Sequence, residues 1–180
     1  MDNNGDVNWN YWINWSIIIK LFYIKMKKTV SDQIKKLRLI LPTPPKPVGL
    51  YKPILIIDHI LYVSGQGPIN NDGSLIIGKV GSEIDKEKAK IAARQVGLTM
   101  LSTILNNLED IDRIKRIVKV FGMVNSTPEF EDHPFVINGF SELMSEVFGE
   151  EMGIGVRSAV GMILPQNISV EIEAHFELYH

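Results

Sequence analysis

The sequence predicts an α+β domain, a mixed β-sheet with two amphipathic helices on one face. Three observations lead there. Short β-rich runs bounded by turn residues occupy both ends of the chain; two long stretches between them switch to helical periodicity; and the order reads β-β-β-α-β-α-β-β. The 180 residues, 45% of them hydrophobic, fill one domain well and would not comfortably fill two. Two helices cover one face of such a sheet and nothing else in the chain covers the other. Copies of the chain are therefore expected to meet there.

Residues 31–40 open on a Ser31-Asp32 cap candidate and carry Ile34, Leu37 and Ile40 at helical spacing, which predicts a short helix. Pro42, Pro44, Pro45 and Pro47 then impose an extended lead-in, so residues 26–47 read as helix plus connector and 48–180 as the domain. The runs Ile54–Ile57 and Ile60–Val63 flank Asp58-His59 as a hairpin. Asn70-Asn71-Asp72-Gly73 is a turn, after which Ser74–Ile77 predicts a third strand.

From Ile84 to about Leu108 the apolar residues Ile91, Ala92, Val96, Leu101, Ile104, Leu105 and Leu108 can share a helix face. Lys86, Lys88, Lys90 and Arg94 then form a solvated face, and Asp85 suits the positive end of the helix dipole. Ile117–Val124 reads as a buried strand. A second helix is predicted over 133–148, with Phe135, Val136, Phe140, Leu143, Met144 and Val147 facing the core and Gly149 ending it. Two strands close the chain, 157–164 and 169–178. In the last, Val170, Ile172, Ala174, Phe176 and Leu178 alternate with Glu171, Glu173, His175 and Glu177, giving one buried and one polar face.

Composition narrows the function. Charged residues make up 22% and the net charge is −2, so no overall field recruits nucleic acid, and no basic-aromatic stripe offers an RNA surface. The chain has no cysteine, which removes disulfides, thiolate metal sites and a cysteine nucleophile, and fits a reducing, cytoplasmic setting. Residues 1–25 form a divergent segment holding Trp9, Trp12 and Trp15 at spacings of three. Three readings stand: sequence upstream of a natural start at Met26, a tail outside the fold, or an interfacial anchor. Lys20 cuts the apolar run short of a membrane span, and Asp2 and Asp6 stand where a secretory signal would be positive.

Several motifs carry no weight alone. Gly65-Gln66-Gly67 is followed by Pro68 and a turn, not by the helix a dinucleotide loop requires. His59, His133, His175 and His180 lack metal-ligand spacing, and no metal is expected. Ser64 has no nucleophile-elbow context, although Ser64 and the Gly65 amide could bind an anion. Arg157 follows the loop Gly153–Val156, and Glu171 stands fourteen residues on. By themselves the two read as a cross-strand surface pair across a hairpin, worth little.

The surrounding strings change that reading. RSAVGMILPQNISVEIEAHFEL resembles the C-terminal signature of the RidA/YjgF family, also called endoribonuclease L-PSP, and LYKPILIIDHILYVSGQGPIN resembles the family's opening hairpin. Val136-Ile137-Asn138-Gly139 falls on the second helix, where the family carries an asparagine. The resemblance covers about Pro47 to Leu178 and is closest to a less characterised branch. It implies a chorismate-mutase-like homotrimer with clefts between subunits. It further implies hydrolysis of 2-imino acids and enamines such as 2-aminoacrylate, the 2-iminobutanoate/2-iminopropanoate deaminase reaction, without cofactor. Carried over by position, Arg157 would hold the substrate carboxylate and Glu171 would position water, with Tyr51, Ser64, Gly65 and Asn138 lining the pocket.

The chemistry is coherent. A guanidinium grips a planar carboxylate with two parallel hydrogen bonds, and a nearby carboxylate can orient water onto the C=N carbon and shuttle its proton. The chain departs from the family's pattern at Ala159, where many members have cysteine, in lacking the usual proline before Arg157, and in an Arg157–Glu171 interval one residue shorter. A deletion within a strand would flip Glu171 unless a bulge or turn absorbs it. The alternative function is a non-catalytic metabolite-binding module of the same fold; weak ribonuclease activity, attributed to the family, fits the acidic balance poorly.

Overall fold

The computed structural model describes residues 29–179. The 1–25 segment with its tryptophans, the Met26 start and His180 lie outside the described residues. A short helix, α1 (Val30–Lys36), comes first. Its N-cap is Thr29, whose hydroxyl accepts from the Asp32 amide, rather than the expected Ser31-Asp32 pair. Ser31 is engaged elsewhere: its amide and hydroxyl both donate to the Asp112 carboxylate, at 2.8 and 2.7 Å. The helix stops at Lys36, and Ile40 lies 70% exposed beyond it.

The hairpin forms as expected, β1 (Ile54–Ile57) against β2 (Ile60–Gln66), turning on Asp58 in the left-handed region at φ 54°. The expected strand over Ser74–Ile77 does not form. Ile69–Leu75 and Ile77–Ile168 make isolated bridges only, and Gly78 at φ +126° turns the chain away before a ladder can extend.

Helix α2 (Lys86–Asn107) is capped by the Asp85 side chain, which accepts from the Lys88 amide. Its buried face is narrower in volume than predicted. Ala89, Ala92, Ala93, Val96, Met100, Leu101 and Ile104 are buried, whereas Ile91 and Leu105 are 65% and 42% exposed. Residue size explains the shift: the small residues Ala89, Ala93 and Gly97, four apart, admit helix α3 (His133–Phe148) at close range. At the crossing Gly139 of α3 lies directly over the Lys90 carbonyl. The presumed solvated face of α2 partly bridges the helices, through Lys86–Asp132, Lys90–Glu142 and Arg94–Glu146. Phe135 is half-buried beneath the Lys86 and Lys90 ammonium groups, 5.1 and 5.2 Å from its ring centre. Gly149 ends α3 at φ 82°, and the four-residue α4 (Glu150–Gly153) follows.

The remaining strands are β3 (Ile114–Asn125), β4 (Val156–Met162) and β5 (Val170–Leu178), in the sheet order β1-β2-β5-β3-β4. Only β3 and β4 run parallel. β4 and β5 are consecutive in sequence but not neighbours, because β3 lies between them. The expected cross-hairpin pairing of Arg157 with Glu171 is therefore wrong. Returning on the far side of β3 puts β4 beneath α3, so the α3 connection between two parallel strands packs onto the sheet.

Both helices sit on one face, over Leu61, Val63, Val120, Val124, Ile172 and Ala174, all buried. The opposite face has no helix among the described residues. Leu55 and Ile57 are 43% and 52% exposed there, beside Tyr62, whose ring packs 4.7 Å from that of His175.

Candidate functional site

Strand register sorts the six predicted site residues into two groups. Arg157 pairs with Val120, which pairs with the buried Ala174, so Arg157 belongs to the helix-covered face. Its Nη1 donates to Asn138 Oδ1 at 2.9 Å and Ser141 Oγ at 3.0 Å, and Nη2 donates to the Pro134 carbonyl at 3.3 Å. Asn138 and Ser141 are three apart on α3 and so project from the same side of that helix. A guanidinium has five N–H donors, and these contacts aim the fork without exhausting it. With Gly155, Ile154 and the α3 side chains, Arg157 lines a cavity of 650 Å³. Partial burial pulls its pKa below the ordinary value, but a guanidinium so placed is still a cation.

Glu171 pairs with Met123 and lies in the row of Glu173 and His175, on the face away from the helices. The short interval from Arg157 has thus not turned it into the core. Between the strands, Gln166 and Asn167 both take left-handed φ, 54° and 55°, in a tight 3-10 turn. The Glu171 carboxylate lies over the backbone of Gly65, where any Cβ would overlap its Oε1. Room for it comes from a bulge. Val63 pairs with Ala174 and Gln66 with Ile172, so Ser64 and Gly65 together oppose Glu173.

Gln66 holds that bulge, and sequence reasoning missed it. It is 4% exposed, its Nε2 donates to the carbonyls of Ser64 (3.0 Å) and Gly65 (3.2 Å), and its Oε1 accepts from Thr103 on α2 (2.8 Å). Its position in the SGQGP string was the available signal. Ser141 was also missed, although its spacing from Asn138 could have found it. Tyr51, Gly65, Gln66 and Glu171 line a cavity of 320 Å³. Ser64 opens instead on an adjoining 460 Å³ hollow shared with Tyr51, Glu173 and His175, and its hydroxyl donates to the Lys52 carbonyl at 2.7 Å. Tyr51 and Gly65 accompany Glu171, Asn138 accompanies Arg157, and the two sets stand on opposite faces of one sheet.

Burial, reinforced by Glu173, holds the Glu171 carboxyl above the usual glutamate value of 4.5. Above that unfolded value the folded state binds this proton more tightly than the unfolded chain does. The stability contribution is complete at pH below about 4 and is lost as pH rises through the elevated folded value. Glu171→Gln, which cannot ionise, is therefore expected to raise Tm relative to wild type at pH 8, by about 1–2 °C. The gain should shrink towards acid pH, as thermal melts across pH 4–8 would show. Among the described residues no cluster of three or more His, Asp or Glu side chains could hold a metal, and no helix is long and apolar enough to cross a membrane.

Residues 33–170 match the family described as "YjgF/chorismate_mutase-like, putative endoribonuclease". The chain belongs to this family. It is 37% identical over 150 residues to protein TCP17 of Trypanosoma cruzi, covering 83% of this chain and 94% of that one. The crystal structure of Atu1372 from Agrobacterium tumefaciens is similar at 37% identity and a TM-score of 0.75, over 88% of this chain and 99% of that one. A structure from Shewanella oneidensis, titled a putative endoribonuclease, reaches a TM-score of 0.79 at 27% identity, over 84% and 100% of the two chains. The YjgF/chorismate-mutase-like fold accounts for the mixed sheet with helices on one face. The matched residues include the SGQGP string that carried the resemblance.

Proposed function

We propose that this chain hydrolyses 2-imino acids at a composite site, where the Arg157 cavity of one copy meets the Glu171 cavity of the next in a homotrimer. The observation that carries the reading is the division of charge. A guanidinium steered by Asn138 and Ser141 lies on one face, and a carboxyl raised by burial lies on the other. Neither half suffices. Arg157 offers a fork for a planar carboxylate, but the carboxylates that share its cavity, Glu142 and Glu146, are paired with Lys90 and Arg94. Glu171 can take a proton, but the cation that shares its cavity, Lys46, is an exposed point charge and not a fork. The exposed apolar residues of the open face support association between copies, since burying them against a second sheet removes them from water.

In the reaction, the guanidinium binds the imino acid's carboxylate and fixes the C=N carbon near the Glu171 carboxyl. Glu171 accepts a proton from water as its oxygen bonds to that carbon. That proton passes to nitrogen to give a carbinolamine. Glu171 then takes the new hydroxyl's proton and delivers it to nitrogen as the C–N bond breaks, so that the C=O of the 2-oxo acid forms and ammonia leaves. A carboxyl held above its ordinary pKa is a stronger proton acceptor near neutrality than an exposed glutamate. The test is ammonia release from freshly generated 2-aminoacrylate. Arg157→Ala is expected to lower kcat/KM at least about a hundredfold, the loss of a charge-assisted bidentate contact. Equal rates in the two proteins would end the proposal.

A second reading, saturable binding of a small carboxylate without turnover, is favoured by the three hydrogen bonds that already engage Arg157. Calorimetry showing binding in a protein that releases no ammonia would establish it.

A further inference from the structure

We propose that the cavity beside Glu171 receives the substrate's side chain and selects imino acids bearing a bulky apolar group, of the leucine, methionine or phenylalanine kind, over 2-iminopropanoate. This rests on the deaminase reading above and names the substrates of that site.

Size comes first. At 320 Å³, the cavity equals about ten water volumes of roughly 30 Å³ each. A methyl side chain would leave most of it filled with poorly bonded water. A branched or aromatic hydrocarbon would expel that water, and the gain grows with the apolar area covered.

The walls are also apolar. Pro45 and Val48 come from the proline-rich lead-in, Ile69 and Leu75 from the loop after β2, and Ile168 from the turn before β5. Besides Glu171, the charged lining residue is Lys46, which is solvent-exposed. The uncharged polar side chains of the lining are Tyr51, Gln66 and Gln166. The Gln66 amide is already bonded to Ser64, Gly65 and Thr103, and Tyr51 and Gln166 are exposed, so a polar or charged side chain would regain little of the hydration it loses.

Finally, the walls are preformed. Ser102 of α2 donates to the Pro42 carbonyl at 2.6 Å, tying the lead-in to the helix, and Pro42 itself is buried. The prolines fix φ, so the strap has little freedom left to lose on binding. Opposite it, the Ile69 carbonyl accepts from Gln95 and its amide donates to Thr99 Oγ1, both on α2. Asp72 accepts from the amide and hydroxyl of Ser74 and closes the turn that carries Leu75. The proline-rich segment thus acts as one wall of a specificity pocket as well as a lead-in.

The experiment compares kcat/KM for ammonia release from imino acids generated in place by an amino-acid oxidase acting on leucine or alanine. The expected result is at least a tenfold preference for the leucine-derived substrate, the range that added methylenes contribute in an apolar pocket. Val48→Trp, at the 88% exposed rim of the strap, and Leu75→Trp, on the opposite wall, each place an indole against the cavity. Each is expected to reduce that ratio about tenfold. Because the ratio is internal to each protein, a partial loss of folded material does not move it. Equal or better use of 2-iminopropanoate by the wild type, or a ratio unmoved by both variants, would overturn the proposal. If the wild type releases ammonia from neither substrate, the deaminase reading fails and binding decides the pocket. At least tenfold tighter calorimetric binding of 4-methylpentanoate than of propanoate would sustain the apolar subsite, and equal affinities would refute it.

Discussion

Combining two inactive variants, Arg157→Ala and Glu171→Gln, in mixed trimers is expected to restore about one third of wild-type turnover, because a trimer with two chains of one kind and one of the other keeps one whole interface of three. The expectation follows from strand register. Arg157 pairs with Val120 on the helix-covered face and Glu171 with Met123 on the other. A site using both must draw them from different copies, so an interface is whole when its arginine comes from a Glu171→Gln chain and its glutamate from an Arg157→Ala chain. Co-expression with two affinity tags isolates mixed trimers, and ammonia release reads the result. Each variant alone should be at least about a hundredfold down. If mixed trimers stay as inactive as the parents, or if the wild type proves monomeric by analytical ultracentrifugation, the composite site is wrong.

The largest effect on stability is expected at Gly139, where substitution by alanine should cost about 3 kcal/mol of unfolding free energy. A Cβ at that position would overlap the backbone carbonyl of Lys90 and press on the amide of Arg94. Gly97, across the same crossing, faces the side chains of Leu143 and Met144, which can rotate aside; the α2 backbone facing Gly139 cannot. Relief requires the helices to move apart, and that would loosen Val136, Ile137 and Phe140 together. Asn138 is the preceding residue, so the same movement would also shift the acceptor that aims Arg157. Urea unfolding of Gly139→Ala against wild type checks the first effect. A change under about 0.5 kcal/mol would mean that the helix contact is more pliant than the packing indicates.

Much of the site's local geometry was legible in the residues. Strict alternation from Val170 to Leu178 put Glu171 on a different face from its buried neighbours, and the observed strand keeps that pattern. Asp85 marked the start of α2 and Gly149 the end of α3, because capping depends on a few adjacent groups. Less legible were features that depend on distant partners. Ile91 fits a helical stripe yet lies exposed, because the side of α2 nearest α3 is lined by alanines and a glycine that the apolar count undervalued. Ser74–Ile77 has strand-like residues but finds only single bridges. Gln66 looks like one more polar residue in a glycine loop until Thr103 is seen opposite it.

The sequence alone determined the mixed α+β class, the hairpin and both long helices, since each follows from backbone periodicity or capping within a few turns of chain. It left the facing of Glu171 open, because the short interval from Arg157 could have flipped it. Tertiary structure alone decided that β3 enters between β4 and β5, that Arg157 and Glu171 fall on opposite faces, and that a proline strap walls the cavity beside the carboxylate. The physical reason is range. Periodicity is imposed by neighbouring peptide units, whereas strand order and cavity walls are chosen by which distant surfaces bury best together, and no local pattern encodes that choice.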